Sequence, residues 1–357
     1  MVSKKGLSLK LLVVCLLVFL LAACGKDNNS GNSSPSGSAP SSAPASSSAA
    51  ASEAPKAVVD VKTIYQPFIG GFNVYVLKDK GFDLENGVNL KIDAIDVASP
   101  LMSLITGDTD VAFMTLQAYM VGIGTLLEEG YDISELPKIV YLHNASQGGD
   151  GIVTDSQYTS VADLKGKTVG AQFGQVTHYM LAKALESVGL TVDDVNMVDM
   201  GPGKAGSAYV AGNIDAAVTF EPYLSEGVNA GGKIIIDTTT LTNTILDVVV
   251  VRADTAADKP AWVQGVLKSI EDGTQYILSD LEGAADIAAD DLMLTKEEVI
   301  DMYPTFHLYT LEDNKEGMLD GGWLNGIMQD VLDFYIEIGT IKEPYDVNAL
   351  VTTDFLW

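Results

Sequence analysis

The chain has 357 residues, 48 acidic against 21 basic, and a formal net charge of −27 at pH 7. That balance excludes a nucleic-acid partner, because phosphate binding needs a basic face. Arg252 is the only arginine, which also excludes a site that grips sulfonate, carboxylate or phosphate through several bidentate guanidinium groups.

Lys4, Lys5 and Lys10 precede an unbroken apolar run over residues 11–23. The run is shorter than the roughly 20 residues a membrane-spanning helix needs, and suits the core of a secretory signal. Leu21, Ala22 and Ala23 directly precede Cys24 and Gly25, the pattern of a bacterial lipobox. Residues 1–23 are therefore expected to be a lipoprotein signal peptide, with Cys24 lipidated as the new N-terminus. The other cysteine, Cys15, lies in that leader, so no internal disulfide is expected in the mature chain. Residues 24–56 are dominated by Ser, Ala, Gly, Asn and Pro and read as a disordered tether. The expected location is extracytoplasmic, lipid-anchored to the outer face of the cell membrane.

The remaining 300 or so residues are enough for two lobes. Residues 59–65 alternate as a strand, residues 66–71 punctuate, and a helix begins near Phe72 and Asn73 and ends by Gly81. A second strand falls at 90–95. Ser99, Pro100 and Gly107 are start and stop signals for a short helix. A buried strand follows at 110–114, and Thr115 can cap the next helix. Strands alternating with helices predict a largely parallel sheet covered by helices. The same unit recurs: Gly212-x-x-Asp215-Ala216 repeats Gly107-x-x-Asp110, so Thr115 corresponds to Phe220.

A second lobe is expected to open at about Gly151. Ser160 and Asp163 have capping-box spacing. A strand at 168–172, a loop at 173–176 and a helix at 177–188 follow. The β-branched run at 245–251 is a candidate strand that returns the chain to the first lobe. Residues 260–335 read as mainly helical, with amphipathic stretches at 262–278 and 324–338. The expected organisation is 57–150 plus 252–357 as lobe 1 and 151–251 as lobe 2, including the return hinge strand.

The order Gly107-x-x-Asp110, Asp163-Leu164-Lys165-Gly166-Lys167-x-Val169-Gly170, Gly174-x-x-x-His178, Gly189-Leu190, Gly212-x-x-Asp215-Ala216 and Glu221-Pro222 resembles the nitrate/sulfonate/taurine group of ABC-importer solute-binding proteins. That group also includes binders of pyrimidine thiamine precursors. The resemblance covers nearly the whole mature domain. It implies an α/β, periplasmic-binding-protein-like fold of two lobes joined by hinge strands. It also implies closure over a small-molecule ligand and delivery to an ABC permease with its ATPase subunits.

In open α/β sheets ligands lie beyond the carboxyl ends of the strands, where loops meet helix N-termini. This nominates Gln66, Phe68, Phe72, Asn73, Ser99 and Thr115 from the first lobe. From the second lobe it nominates Gln172, Phe173, Gly174, Thr177, His178, Glu221 and Tyr223. Ser99 and Thr115 either contact ligand or only cap their helices, Phe72 and Phe68 face either the cleft or the core, and His178 either binds or packs. Arg252, at the end of the return strand, either clamps an acidic ligand group or pairs with a carboxylate. If Glu221 faces the ligand, an amine-bearing or zwitterionic solute gains a charge-assisted bond, and a flat heterocycle stacks between Phe68 or Phe72 and Phe173. A bare anion such as nitrate is disfavoured.

The competing class is an enzyme on the same fold, since relatives include pyrimidine-forming enzymes with a cysteine-rich stretch and an active-site histidine. Here His143, His178 and His307 are spread along the chain, and no metal cluster, phosphate loop or nucleophile elbow is visible. No cofactor and no metal are expected. A sensor or adhesin built on the same fold is a further alternative.

Overall fold

The computed structural model of the protein describes residues 58–65, 68–93 and 100–357. Cys24 and the expected leader and tether lie outside the described residues, as do Gln66 and Ser99. Among the described residues eleven strands form two sheets: β1 (Val59–Ile64), β2 (Val88–Asp93), β3 (Val111–Thr115), β4 (Lys138–Ser146), β5 (Asp150–Asp155), β6 (Thr168–Ala171), β7 (Asn196–Asp199), β8 (Ala216–Phe220), β9 (Gly232–Asp237), β10 (Leu246–Val251) and β11 (Phe306–Leu308). The first sheet has the order β11-β4-β10-β3-β1-β2 and the second β7-β6-β8-β5-β9. The chain passes between them from β4 to β5 and returns from β9 to β10.

In the first sheet β1 is parallel to β2 and β3, while β10 runs antiparallel to β3 and β4, and β11 antiparallel to β4. In the second, β6 is parallel to β7 and β8, and β5 is antiparallel to β8 and β9. β10 shows why its sequence is a continuous apolar run. Leu246, Val248 and Val250 pack into one core with the Leu116–Glu128 and Leu324–Glu337 helices. Val249 and Val251 pack into another with Trp262, Val263 and Val266 of the Pro260–Ser279 helix. A strand covered on both faces needs apolar residues at every position rather than at alternate ones. The single exception in this strand is Asp247.

The repeated Gly-x-x-Asp unit does the same structural work in both lobes. Gly107 and Gly212 sit at φ +79° and +72°, a left-handed conformation that favours glycine. Asp110 then accepts the backbone N–H of Lys62 at 3.0 Å, and Asp215 accepts that of Thr168 at 2.8 Å. In each case the aspartate takes a backbone N–H of the strand parallel to its own. The capping box at Ser160 and Asp163 is formed, but it closes a single 3-10 turn, Val161–Leu164. The stretch read as helical also holds β11, which pairs with the far end of β4.

Candidate functional site

Strand directions bring one set of ends together. In the first sheet the ends of β3 and β4 lie beside the start of β10, since Thr115 is opposite Asp247 and Asn144 is opposite Asp247 on the other side, and β1 runs in the same direction as β3. In the second sheet the ends of β8 and β9 lie beside the start of β5, with Asp150 opposite Phe220 and Gly151 opposite Asp237. Both sets adjoin the two crossings, 147–149 and 238–245. The crossings are tied together: Ser146 Oγ and Thr238 Oγ1 are 2.8 Å apart, and Gly148 N donates to Thr238 Oγ1 at 2.7 Å. Glu221 N donates to Gly149 O at 2.9 Å, which holds the end of β8 against the first crossing.

Several expected residues reach this region. Phe68 is half-buried, its ring centre 5.8 Å from that of Phe306 at the start of β11 in an edge-on arrangement. Thr115 is half-buried and caps the Leu116–Glu128 helix by accepting from Ala118 N at 3.2 Å. Gln172 is half-buried, its N–H donating to Thr177 Oγ1. Glu221 is half-buried and accepts from Ser225 N and Oγ at 3.1 and 2.9 Å. Tyr223 sets its ring 5.8 Å from Phe220 and packs over Gly203 and Gly206.

Others are placed elsewhere and are corrections to the sequence reading. Phe72 is fully buried in a core cluster with Ile69 and Val76, its ring 5.7 Å from Tyr303, so it offers no face to a ligand. Asn73 is fully buried, and both ends of its amide are occupied within the first lobe. Thr177 is buried and spends its hydroxyl on the Gln172 N–H. Arg252 pairs with Asp254 through Nε and a terminal nitrogen. It follows Val251, which is opposite Val111, so it sits five residues along the strand from Asp247, roughly 16 Å away. The sole guanidinium is thus at the wrong end of the sheet to reach a ligand at the crossings.

Phe173, Gly174 and His178 form a separate group at the contact between lobes. His178 is 2 % exposed, its Nδ1 accepts from Gly174 N at 3.2 Å, and its Nε2 is buried without a protein partner. The bond at Nδ1 puts the proton of the neutral ring on Nε2, and burial holds the pKa below the usual histidine range. Phe173 lies over the ring at 5.1 Å, and Phe334 from the Leu324–Glu337 helix meets it edge-on at 5.2 Å. Gly174 takes φ +67°. Beside this contact runs a groove of about 850 Å³ whose rim includes Glu186, Asp193, Asp330, Asp333 and Glu337.

The most telling side chains at the crossings are ones the sequence reading did not select. Asp150, the first residue of β5, is 8 % exposed. Burial pushes its pKa up to about 7, opposed by a bond from Ser146 and reinforced by the charges of Asp247 and Glu221. Asp247, on β10, is half-buried and accepts from Asn144 Nδ2 at 3.1 Å. Burial raises its pKa to about 6, and the Asn144 bond works against that rise. Three carboxylates thus come from both sheets to one place: Asp247 from the first, Asp150 and Glu221 from the second. Asp247 and Glu221 add to the rise at Asp150 because like charges nearby disfavour its ionisation, and a cluster of carboxylates favours a cation between its members. The available sequence signal was a lone acid inside an otherwise β-branched hinge strand. Among the described residues no group of three or more His, Cys, Asp or Glu side chains is arranged to hold a metal ion.

Comparison with known proteins places this architecture. A model of the NMT1/THI5-like family matches residues 71–284. A Brucella abortus protein named only as a binding protein is 26 % identical over 266 residues, 70 % of this chain and 82 % of its own. The taurine-binding periplasmic protein of Escherichia coli is 27 % identical over 207 residues, 57 % of this chain and 62 % of its own. The crystal structure of the periplasmic aliphatic sulphonate binding protein of E. coli superposes with a TM-score of 0.67 at 18 % identity, covering 84 % of this chain and 93 % of that one. A desulfurization enzyme superposes with a TM-score of 0.60 at 15 % identity, covering 84 % and 97 %. The fold is therefore the periplasmic-binding-protein fold, which hosts both binders and an enzyme.

Proposed function

Because the chain belongs to the NMT1/THI5-like family, we propose that it is the extracytoplasmic solute-binding component of an ABC importer and that its ligand is a small amine-bearing solute. The observation that supports the amine is the meeting of Asp150, Glu221 and Asp247 at the crossings, with Arg252 at the opposite end of its strand. An amino group there, protonated or aromatic, donates charge-assisted bonds to the carboxylates, while a bare anion meets uncompensated carboxylates. An amino group that touches Asp247 in one lobe and Asp150 or Glu221 in the other binds the closed form more tightly than the open one. That difference in affinity drives closure. The closed form docks on a permease, whose ATPase subunits power release and transport. The lipid on Cys24 holds the protein at the outer face of the cell membrane.

Two ligand shapes fit this reading. One is a taurine-like zwitterion. The other is a flat amino-heterocycle such as a pyrimidine thiamine precursor, favoured by the Phe68 and Phe306 rings at the end of the first sheet. Binding without turnover is the third part of the proposal, set against the enzyme that shares the fold. Calorimetric titration with taurine, ethanesulfonate, nitrate and 4-amino-5-hydroxymethyl-2-methylpyrimidine tests all three parts. The expected result is stoichiometric binding of an amine-bearing solute, recovered unchanged. A preference for nitrate over every amine-bearing solute refutes the reading.

A further inference from the structure

We propose that Asp247 is the fixed anchor for the ligand's amino group, and that a buried chain of Asn144, His143, Asn73 and Thr274 positions it. The inference rests on the amine reading above and names the residues that set specificity within the same site.

The chain starts at an irregularity in the hinge. Asp247 is opposite Asn144, but the next pair is Val248 and Leu142, so His143 is left as an extra residue in β4. A bulge of this kind turns two consecutive side chains to one side, where a regular strand sends them to opposite faces. The two side chains do meet: Asn144 Nδ2 lies 3.1 Å from His143 Nδ1 and 3.1 Å from Asp247 Oδ2. His143 Nε2 lies 2.9 Å from Asn73 Oδ1, and Asn73 Nδ2 donates to Thr274 Oγ1 at 2.9 Å on the Pro260–Ser279 helix. His143, Asn73 and Thr274 are fully buried, and Asn144 is 2 % exposed. The edge of Phe113 packs on the imidazole at 4.7 Å.

The ionised carboxylate fixes the direction of every bond. Asp247 can only accept, so Asn144 must present its NH2 group. That group donates also to His143 Nδ1, which must then be a lone pair. The ring proton sits on Nε2 and is given to Asn73 Oδ1. The Asn73 amide nitrogen then faces Thr274. His143 stays neutral, because burial drives its pKa down to about 3. A chain satisfied in one polarity only holds Asn144 rigidly and keeps an N–H aimed at Asp247, which leaves Asp247 Oδ1 for the ligand. Buried polar networks specify geometry in this way when every member is paired. The other titratable groups around Asp247 are Tyr65 after β1, Asp150 at the start of β5 and, beyond Asp150, Glu221 after β8. Asp150 is held by a shorter chain of hydroxyls, Ser146 and Thr238, at the crossings.

The test uses the full chain and two readouts. Nitrogen NMR of histidine-labelled protein reads His143 without ligand. The expected result is a neutral ring, protonated on Nε2, from pH 8 to pH 5. A ring protonated on Nδ1, or one that titrates in that window, overturns the chain. Calorimetry at pH 8 then uses taurine and 4-amino-5-hydroxymethyl-2-methylpyrimidine as probes. Asp247→Asn is expected to lose at least about a hundredfold in affinity for the amine probe that the wild type binds. Thr274→Val removes only the far acceptor. It is expected to lose roughly three- to tenfold and to move the acid limb of the binding profile to higher pH. Thr274→Ser is expected to restore both. Equal affinity in the wild type and Asp247→Asn overturns the anchor while leaving the amine reading standing. No binding of either probe by the wild type refutes both.

Discussion

Replacing Asp150 with Asn separates what the fold wants from what the ligand wants. Asp150 is 8 % exposed, and its pKa is raised from an ordinary 3.8 to about 7, chiefly by burial. A raised carboxylate pKa means that the folded state holds the proton more tightly than the unfolded state. Stability is therefore greatest in acid, falls as pH rises from about 4 to about 7, and is level above that. A rise of about three pH units corresponds to roughly 4 kcal/mol at pH 8. Asn is a neutral isostere and escapes that term. The variant should match the wild type near pH 4 and exceed it by up to about 4 kcal/mol at pH 8. At roughly 2 °C per kcal/mol for a chain of this size, that is a rise in Tm of as much as about 8 °C. The assay is ligand-free thermal unfolding of both proteins across pH 4 to 8, read as the difference between them so that the other carboxylates cancel. The same variant should be stabilised less than the wild type by the amine probe. A protein that is more stable and yet less stabilised by ligand is the signature of a strained binding group. A variant that is neutral or destabilised at pH 8 refutes the reasoning.

Other consequences follow from the placement of particular groups. Arg252→Ala should leave amine-probe affinity unchanged in calorimetry and cost about 1 kcal/mol or less in denaturant unfolding, because its partner Asp254 is exposed. Asp110→Ala and Asp215→Ala should each cost about 1–2 kcal/mol by the same assay, since each leaves one strand N–H without its carboxylate. Phe334→Ala should cost about 2 kcal/mol and increase the radius of gyration in small-angle scattering, because its ring seats against His178 and Tyr179 of the other lobe.

Local signals in the sequence survived folding well. The Gly-x-x-Asp units, the caps at Thr115 and Ser160 and the β-branched run containing β10 rest on contacts between near neighbours or on simple periodicity, and each is present. What the sequence hid is what distant residues decide. Asn73 follows a strand and a loop and reads as a cleft residue, but Thr274 and His143, far along the chain, claim its amide. Phe72 is drawn into the core by Tyr303 for the same reason. β11 lies in a stretch with helical periodicity on both sides, and only its pairing with β4 makes it a strand. Asp247 was visible as an oddity in an apolar run. Its meaning depends on Asn144 and on Asp150, a residue of the other sheet, and neither neighbour follows from spacing.

The central claim is that carboxylates at the hinge choose the ligand by its amine. Taurine and ethanesulfonate differ only in that group, as do 4-amino-5-hydroxymethyl-2-methylpyrimidine and its analogue with hydrogen in place of the 4-amino group. Calorimetric titration of the full chain with both pairs at pH 8 is the most direct measurement. In the pair the protein binds, the amine-bearing member is expected to be tighter by at least about a hundredfold. Equal or tighter binding of the member without the amine contradicts it.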